Sequence, residues 1–305
     1  MFAQALLPIF VFMNQLPLNK RTQIINLLVE GNSLRSASRI ADVSITTVSK
    51  LLVEVGRACM DFHNEKVKGL KCLTVQADEA WSFIGCKDKN ATPEKKEQGQ
   101  GDAWTWVGLD ADTKLVISWY VGSRSAESAN EFMHDIASRL TNRVQLTTDG
   151  LHAYLEAVTD SFGSQIDFAQ LVKIYGSSTD SNSKTEKKYS PAKLKSITKN
   201  VICGNPDVEK ISTSYIERQN LTLRMGLRRF TRLTNAFSKK LENHCHAIAL
   251  HFVYYNFVRI HKTLRITPAM AAGITKRFMS IEDIALLVSV EAPKKRGLYK
   301  KRVIQ

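Results

Sequence analysis

The stretch QADEAW, residues 76–81, sets Asp78 and Glu79 between apolar runs. The KCLTV before it reads as a strand heading inward, and residues 72–85 as a whole read as one strand. A carboxylate is costly to bury unless it is paired or holds a cation. Successive strand side chains point to opposite faces, so Glu79 is expected to point away from Asp78. An acid at the end of a buried strand needs a reason in a chain that is otherwise strongly basic.

Downstream, the period of two continues. DAWTWVGLDADTKLVISWYVGSR (102–124) reads as two strands joined by a turn at DADT. SAESANEFMHDIASRL (125–140) carries Ala129, Phe132, Met133, Ile136 and Leu140 at helical spacing. RVQLTTDG (143–150) is a short strand ending in Asp149, LHAYLEAVTDSFG (151–163) is helical, and DFAQLVKIYG (167–176) is a strand again. Strand, hairpin, helix, strand, helix, strand, helix is a mixed α/β layout. Residues 177–200 are polar, Lys-rich and poor in large apolar side chains, so a mobile insert or loop is expected there. STSYIERQNLTLRMGLRRFTR (212–232) and SKKLENHCHAIALHFVYYNFVRIH (238–261) follow as long helices, and residues 276–305 read as a basic tail.

Upstream the pattern is all-helical. In NKRTQIINLLVEG (19–31), Ile24, Ile25, Leu28 and Val29 share a face that stops at Gly31. Ser33 is placed to cap a helix carrying Leu34, Ala37 and Ile40. ADVS makes a turn, and Ser44 is placed to cap a further helix burying Ile45, Val48, Leu51 and Leu52. This is a helix-turn-helix pattern over residues 16–62, with Thr46, Thr47, Ser49 and Lys50 where base edges and phosphates would be met. Any three-helix segment resembles it loosely; the basic chain favours DNA. The opening MFAQALLPIFVFMNQL is too short to span a bilayer and lacks a basic leader region. We read residues 1–12 as an upstream extension of the reading frame, with folding from near Leu16, or as a short helix packing on the body.

The 305 residues suffice for two or three domains, and 44% apolar content is that of an ordinary globular protein. Lys and Arg number 43 against 29 Asp and Glu, a formal charge of +14. Nucleic acid is the commonest polyanion to meet such an excess; an anionic membrane surface, or simple solubility, are the alternatives. The cysteines (Cys59, Cys72, Cys86, Cys203, Cys245) are odd in number and scattered, without metal-site spacing. Reduced thiols and a cytoplasmic location are expected.

Three carboxylates sit where a fold could bring them together: Asp78 on the first strand, Asp149 closing the later strand, and Glu217 near the start of the helix after the insert. In a ribonuclease-H-like fold the first strand is central, the later strand lies beside it and the final helix crosses their ends. Neighbouring carboxylates repel unless a divalent cation lies between them. Two such ions, roughly 4 Å apart, can activate a water or 3′-hydroxyl and stabilise the leaving oxygen in phosphodiester transfer. All-oxygen donors suit Mg²⁺ or Mn²⁺ rather than zinc. A single strand-end Asp is more often a turn or cap residue; the joint placement is the signal.

QADEAW, TTDGLHAY, YIERQNLTLR and NFVRIHKTLRITPAMAAG together resemble the motifs of DDE transposases of the insertion-sequence-one family, over roughly residues 19–275. The resemblance implies Asp78, Asp149 and Glu217 as a metal-binding catalytic triad with Mg²⁺ or Mn²⁺. It implies a ribonuclease-H-like catalytic domain (68–275) behind the helix-turn-helix. The Lys-rich stretch before Glu217 is longer than in ordinary members, which marks a divergent subgroup. The implied partners are double-stranded DNA, as element terminal inverted repeats and target, and further copies of the chain, at least a dimer on DNA. No membrane partner is implied.

Asn220 and Arg224 share the helix face of Glu217 and are assigned to the scissile phosphate, with a solvated polar face as the plainer reading. Arg228, Arg229 and Arg232, then Arg259, His261, Lys262 and Arg265, are read as DNA contacts. His244, Cys245, His246 and His251 lack a zinc-ligand pattern, and core packing or a phosphate hydrogen bond is expected of them. The four tryptophans lie on strands, where core packing is the default, although Trp81 stands near Asp78. A transposase is the leading function. A non-catalytic DNA-binding regulator would not need the acids, and a ribonuclease-H-like nuclease would not need the helix-turn-helix.

Overall fold

The computed structural model describes residues 16–176, 194–231 and 235–288. Residues 1–15, the first part of the expected insert (177–193), Arg232 and the end of the basic tail (289–305) lie outside the described residues.

The N-terminal helices form as their caps require. α1 (Leu18–Val29) buries Ile24, Ile25, Leu28 and Val29. α2 (Leu34–Ala41) and α3 (Ile45–Lys66) begin at Ser33 and Ser44, whose hydroxyls accept from the Ser36 and Thr47 amides, both at 3.0 Å. Between them Asp42 adopts a left-handed conformation, φ 52°. Ile45, expected on the buried side of α3, is 44% exposed, and Ile40 on α2 is 54% exposed. The helix contact is made instead by Ala37 and Ala41, whose small side chains let α2 lie close.

Six strands form one mixed sheet in the order β3-β2-β1-β4-β5-β6. They are β1 (Thr74–Ile84), β2 (Gly101–Asp110), β3 (Val116–Gly122), β4 (Val144–Thr148), β5 (Ile166–Tyr175) and β6 (Leu194–Cys203). β1 pairs antiparallel with β2 and parallel with β4. β6, which runs antiparallel to β5, corrects the expectation of a loop through residue 200. Every β6 residue from Leu194 to Ile202 is exposed, so no buried face announces it in the sequence. Backbone pairing to the open edge of β5 forms this strand without a core-facing pattern. Between β1 and β2 lies the short α4 (Pro93–Glu97).

The sheet is covered on both sides. α5 (Ala126–Arg139) and α6 (Ala153–Phe162) cover the face where Trp106 packs between Phe132 and Tyr154. α7 (Ser214–Gly226), α3 and α8 (Leu241–Val253) cover the other face, where Trp119 meets His63 and Phe252. α8 runs on through a π turn at Tyr254–Val258, and α9 (Pro268–Ala271) and α10 (Ile281–Leu286) follow. Met279, Ile284 and Ala285 are buried and α10 packs on α1, so the expected basic tail begins with core residues. The buried side chains of α1–α3 belong to the same apolar cluster as those of the sheet.

His63 illustrates what this burial does to charge. Its ring meets Trp119 edge-on, with ring centres 4.3 Å apart, and burial pushes its pKa down to about 3. Between that value and the ordinary 6.5 of an unfolded histidine, only the unfolded chain takes the proton, so stability falls as pH falls through that window. His63→Gln should therefore flatten the acid slope of unfolding free energy by up to about 1.4 kcal/mol per pH unit. Urea unfolding of both proteins at several pH values below neutrality checks this, and identical slopes would refute it.

Candidate active site

The parallel register of β1 and β4 builds the site. Gln76 lies opposite Thr147 and Ala77 opposite Thr148, so the next step along both strands brings Asp78 beside Asp149. Oxygen atoms of Asp78, Glu79 and Asp149 all lie within 4.8 Å of one another. Glu79 thus departs from the expectation that it would point away. It does take the opposite pleat from Asp78, aligned with Trp106 on the α5–α6 face. But it is only 6% exposed, and its carboxylate still reaches the cluster.

Burial and the neighbouring Asp149 raise the Asp78 pKa to about 6, and burial raises that of Glu79 to about 7. Such a site disfavours negative charge and rewards a cation. α7 orients Asp78: the Asn220 amide donates to Asp78 Oδ2 at 2.9 Å, and Gln76 Oε1 accepts from the backbone amides of Tyr215 and Ile216, both at 3.0 Å. Asn220, assigned from the sequence to a phosphate, is only 2% exposed and serves Asp78 instead. Asp149 Oδ1 accepts from the Leu151 amide at 2.9 Å, which fixes the turn leading to α6.

Glu217 stands apart from the 4.8 Å cluster. Its carboxylate accepts from the Lys173 ammonium on β5 and from the Thr213 hydroxyl, the latter at 2.6 Å. It still adds to the repulsion felt by Asp78, so it lies in the same electrostatic neighbourhood. Sequence reasoning missed Lys173, Arg124 and Tyr154, the last of which faces Glu79 with its buried hydroxyl. Arg124 Nε donates to Glu79 Oε2 at 3.2 Å, its Nη2 lies 3.7 Å from Asp149 Oδ2, and its guanidinium stacks 4.8 Å from the Trp104 ring centre. Arg124 follows the end of β3, where Gly122 pairs with Trp104, and no local motif marks it.

The other assigned residues scatter. Thr46 and Lys50 are exposed at the start of α3; Thr47 shares a hydrogen bond with Ser44, and Ser49 accepts one from Asn243 on α8. Arg228 is exposed, Arg224 is half-buried, and Arg229 is turned inward, donating to Ser238 Oγ at 3.0 Å. Arg259, Lys262 and Arg265 are exposed, and the half-buried His261 feels Lys114, Arg259 and Arg218. His244 and His251 are core residues as expected, the first between Ser82 and Ser238. The acidic cluster is the one metal-ligand grouping among the described residues.

Solved structures similar to this chain are transposases. The Mos1 transposase paired-end complex with left transposon end matches at 13% identity over 50% of this chain and 59% of that chain, with a TM-score of 0.22. This chain therefore spans under two thirds of that protein. The piggyBac transposase synaptic complex with hairpin DNA matches at 10% identity, covering 89% and 70% of the two chains at a TM-score of 0.38. The Mos1 strand transfer complex matches at 11% identity, covering 91% and 81%, at a TM-score of 0.22. No family model matches the sequence, and no curated protein does. At such distances the site has to be read from its own geometry. No helix among the described residues is long and apolar enough to cross a membrane.

Proposed function

We propose that the protein is a DDE-type DNA transposase, which cuts and joins DNA at the ends of a mobile element using Mg²⁺ or Mn²⁺. The observation that carries this reading is that the parallel register of β1 and β4 brings Asp78, within β1, and Asp149, just past the end of β4, within 4.8 Å of each other on a six-stranded sheet. The order β3-β2-β1-β4-β5 fits a ribonuclease-H-like catalytic domain over residues 68–275, with β6 as an addition.

The donor set fits a hard divalent cation: the facing atoms of Asp78 and Asp149 are carboxylate oxygens, and burial with Asp149 alongside raises the Asp78 pKa, so the pair gains from a cation between them. Bound there, such an ion supplies charge stabilisation for phosphodiester cleavage and transfer. Asp78 and Asp149 would hold it, and Glu217, which now accepts from Lys173, would be the third carboxylate available to it. Asn220 holds Asp78 in one rotamer. Arg228, Arg259, Lys262 and Arg265, with Arg224, carry the DNA backbone.

The capped helices α2 and α3, with their left-handed turn residue, suit a helix-turn-helix over residues 16–62 that presents Thr46, Thr47, Ser49 and Lys50. Lys50→Ala should weaken binding on all sequences and lower the salt slope by about one, as loss of a phosphate contact does. Thr47→Ala should act on the preferred site alone. Binding curves at several salt concentrations on element-end and scrambled DNA decide, and two variants that bind like the parent would rule this helix out as the reader.

Incubating purified protein and Mg²⁺ with candidate element ends and target DNA tests the whole reading, with joined product expected. Tight, specific end binding without metal-dependent cleavage would instead mean a DNA-binding regulator.

A further inference from the structure

We infer that Arg124 is a catalytic residue that grips the phosphodiester presented to Asp78 and Asp149, and that buried Glu79 is the positioning residue that aims it. The inference rests on the nuclease chemistry proposed above. It reads Glu79 as an anchor for an arginine, not as a ligand in the metal set.

Three contacts define Arg124. Its Nε donates to Glu79 Oε2 at 3.2 Å, its Nη2 lies 3.7 Å from Asp149 Oδ2, and its guanidinium carbon lies over the Trp104 ring, 4.8 Å from its centre. The Glu79 side chain is 1% exposed, whereas that of Arg124 is 40% exposed. One end of the pair is thus fixed inside the fold, and the other reaches solvent beside the acidic pair.

A buried carboxylate is expensive, and the side chains that support Glu79 are the buried Tyr154 hydroxyl and Arg124. What Glu79 gains in return is a fixed guanidinium. An arginine held by one edge and one face keeps its remaining N–H donors pre-aimed, which is how planar guanidinium groups recognise phosphate oxygens. The contact to Asp149 is long, so an incoming phosphate can replace it at little cost. Arg124 thereby supplies positive charge to the acidic pair before DNA arrives, and to the phosphate afterwards. Cleavage passes through a charge build-up on the non-bridging oxygens, where a pre-aimed donor acts most strongly.

The test uses the full chain, Mn²⁺ as the metal probe and supercoiled plasmid as the DNA probe. Calorimetry should show Mn²⁺ binding roughly threefold tighter or unchanged in Arg124→Ala, since a neighbouring cation is removed. Glu79→Gln should bind Mn²⁺ like the parent, while Asp78→Asn binds it far more weakly. Single-turnover nicking should drop on the order of 100-fold in Arg124→Ala, the usual loss for one donor to a developing oxyanion. Arg124→Lys should recover only part, lacking the planar fork. Glu79→Gln should lose less, and on top of Arg124→Ala it should lose nothing more, because it acts through the arginine. The inference is overturned by parental nicking in Arg124→Ala, by additive losses in the double variant, or by Mn²⁺ affinity in Glu79→Gln as poor as in Asp78→Asn. A parent that neither binds Mn²⁺ nor nicks plasmid sinks the nuclease reading, and the role of Arg124 with it.

Discussion

Asp149→Asn is expected to lower metal-dependent DNA cleavage by about a thousandfold or more while leaving DNA binding intact. The change is nearly isosteric, and the asparagine Oδ1 can still accept from the Leu151 amide that Asp149 engages. The turn into α6 is therefore kept. What is lost is one negative charge in a cluster whose oxygens lie within 4.8 Å, and with it the affinity for a divalent cation. The exposed cations at Lys50, Arg228, Arg259, Lys262 and Arg265 are untouched, so binding should hold or improve as repulsion from DNA is relieved. Cleavage and gel-shift measurements on one preparation read both quantities. Cleavage at the parental rate would remove Asp149 from the catalytic set.

The largest stability effect is expected at Gly56, in the middle of α3. A Cβ there would lie 2.4 Å from His246 Cβ and 2.7 Å from both Cα and the carbonyl oxygen of His246 on α8. Two of those atoms are backbone, so no rotamer change relieves the clash and the helices must part. Helix propensity alone favours Ala over Gly by about 1 kcal/mol. The crossing should override it, and Gly56→Ala should destabilise the protein by about 3 kcal/mol. Urea denaturation with its midpoint and slope measures the change. A neutral or stabilised variant would show that α3 and α8 do not cross this closely.

The opposed signs of those two terms at Gly56 show where sequence reading stops. GRAC inside a helical run looks like a mild propensity defect, because nothing in one segment names the segment packed against it. The same limit explains Arg124. It follows a strand, precedes the Ser125 cap of α5, and carries no motif; its role depends on Glu79 and Trp104 meeting it from two other strands. β6 escaped because pairing to a strand edge requires only backbone groups, and its side chains from Leu194 to Ile202 are exposed. Ile45 misled because its spacing is right for burial, while the close α2 contact is made by alanines.

The sequence by itself determined most of the elements and singled out two of the acids that the fold brings together. Period-two and helical spacing placed β1 to β5 and the main helices, Ser33 and Ser44 marked the starts of α2 and α3, and Asp78 stood out as an acid within a buried strand and Asp149 as one at a strand end. These are local properties, fixed by residues a few positions apart. Tertiary structure alone decided which acids meet. The parallel register of β1 with β4 sets Asp78 beside Asp149, the length of the Glu79 side chain carries it round from the opposite pleat, and Lys173 on β5 holds Glu217 aside. Each depends on distances between residues far apart in the chain, and those are set by the packing of sheet and helices, not by any segment alone.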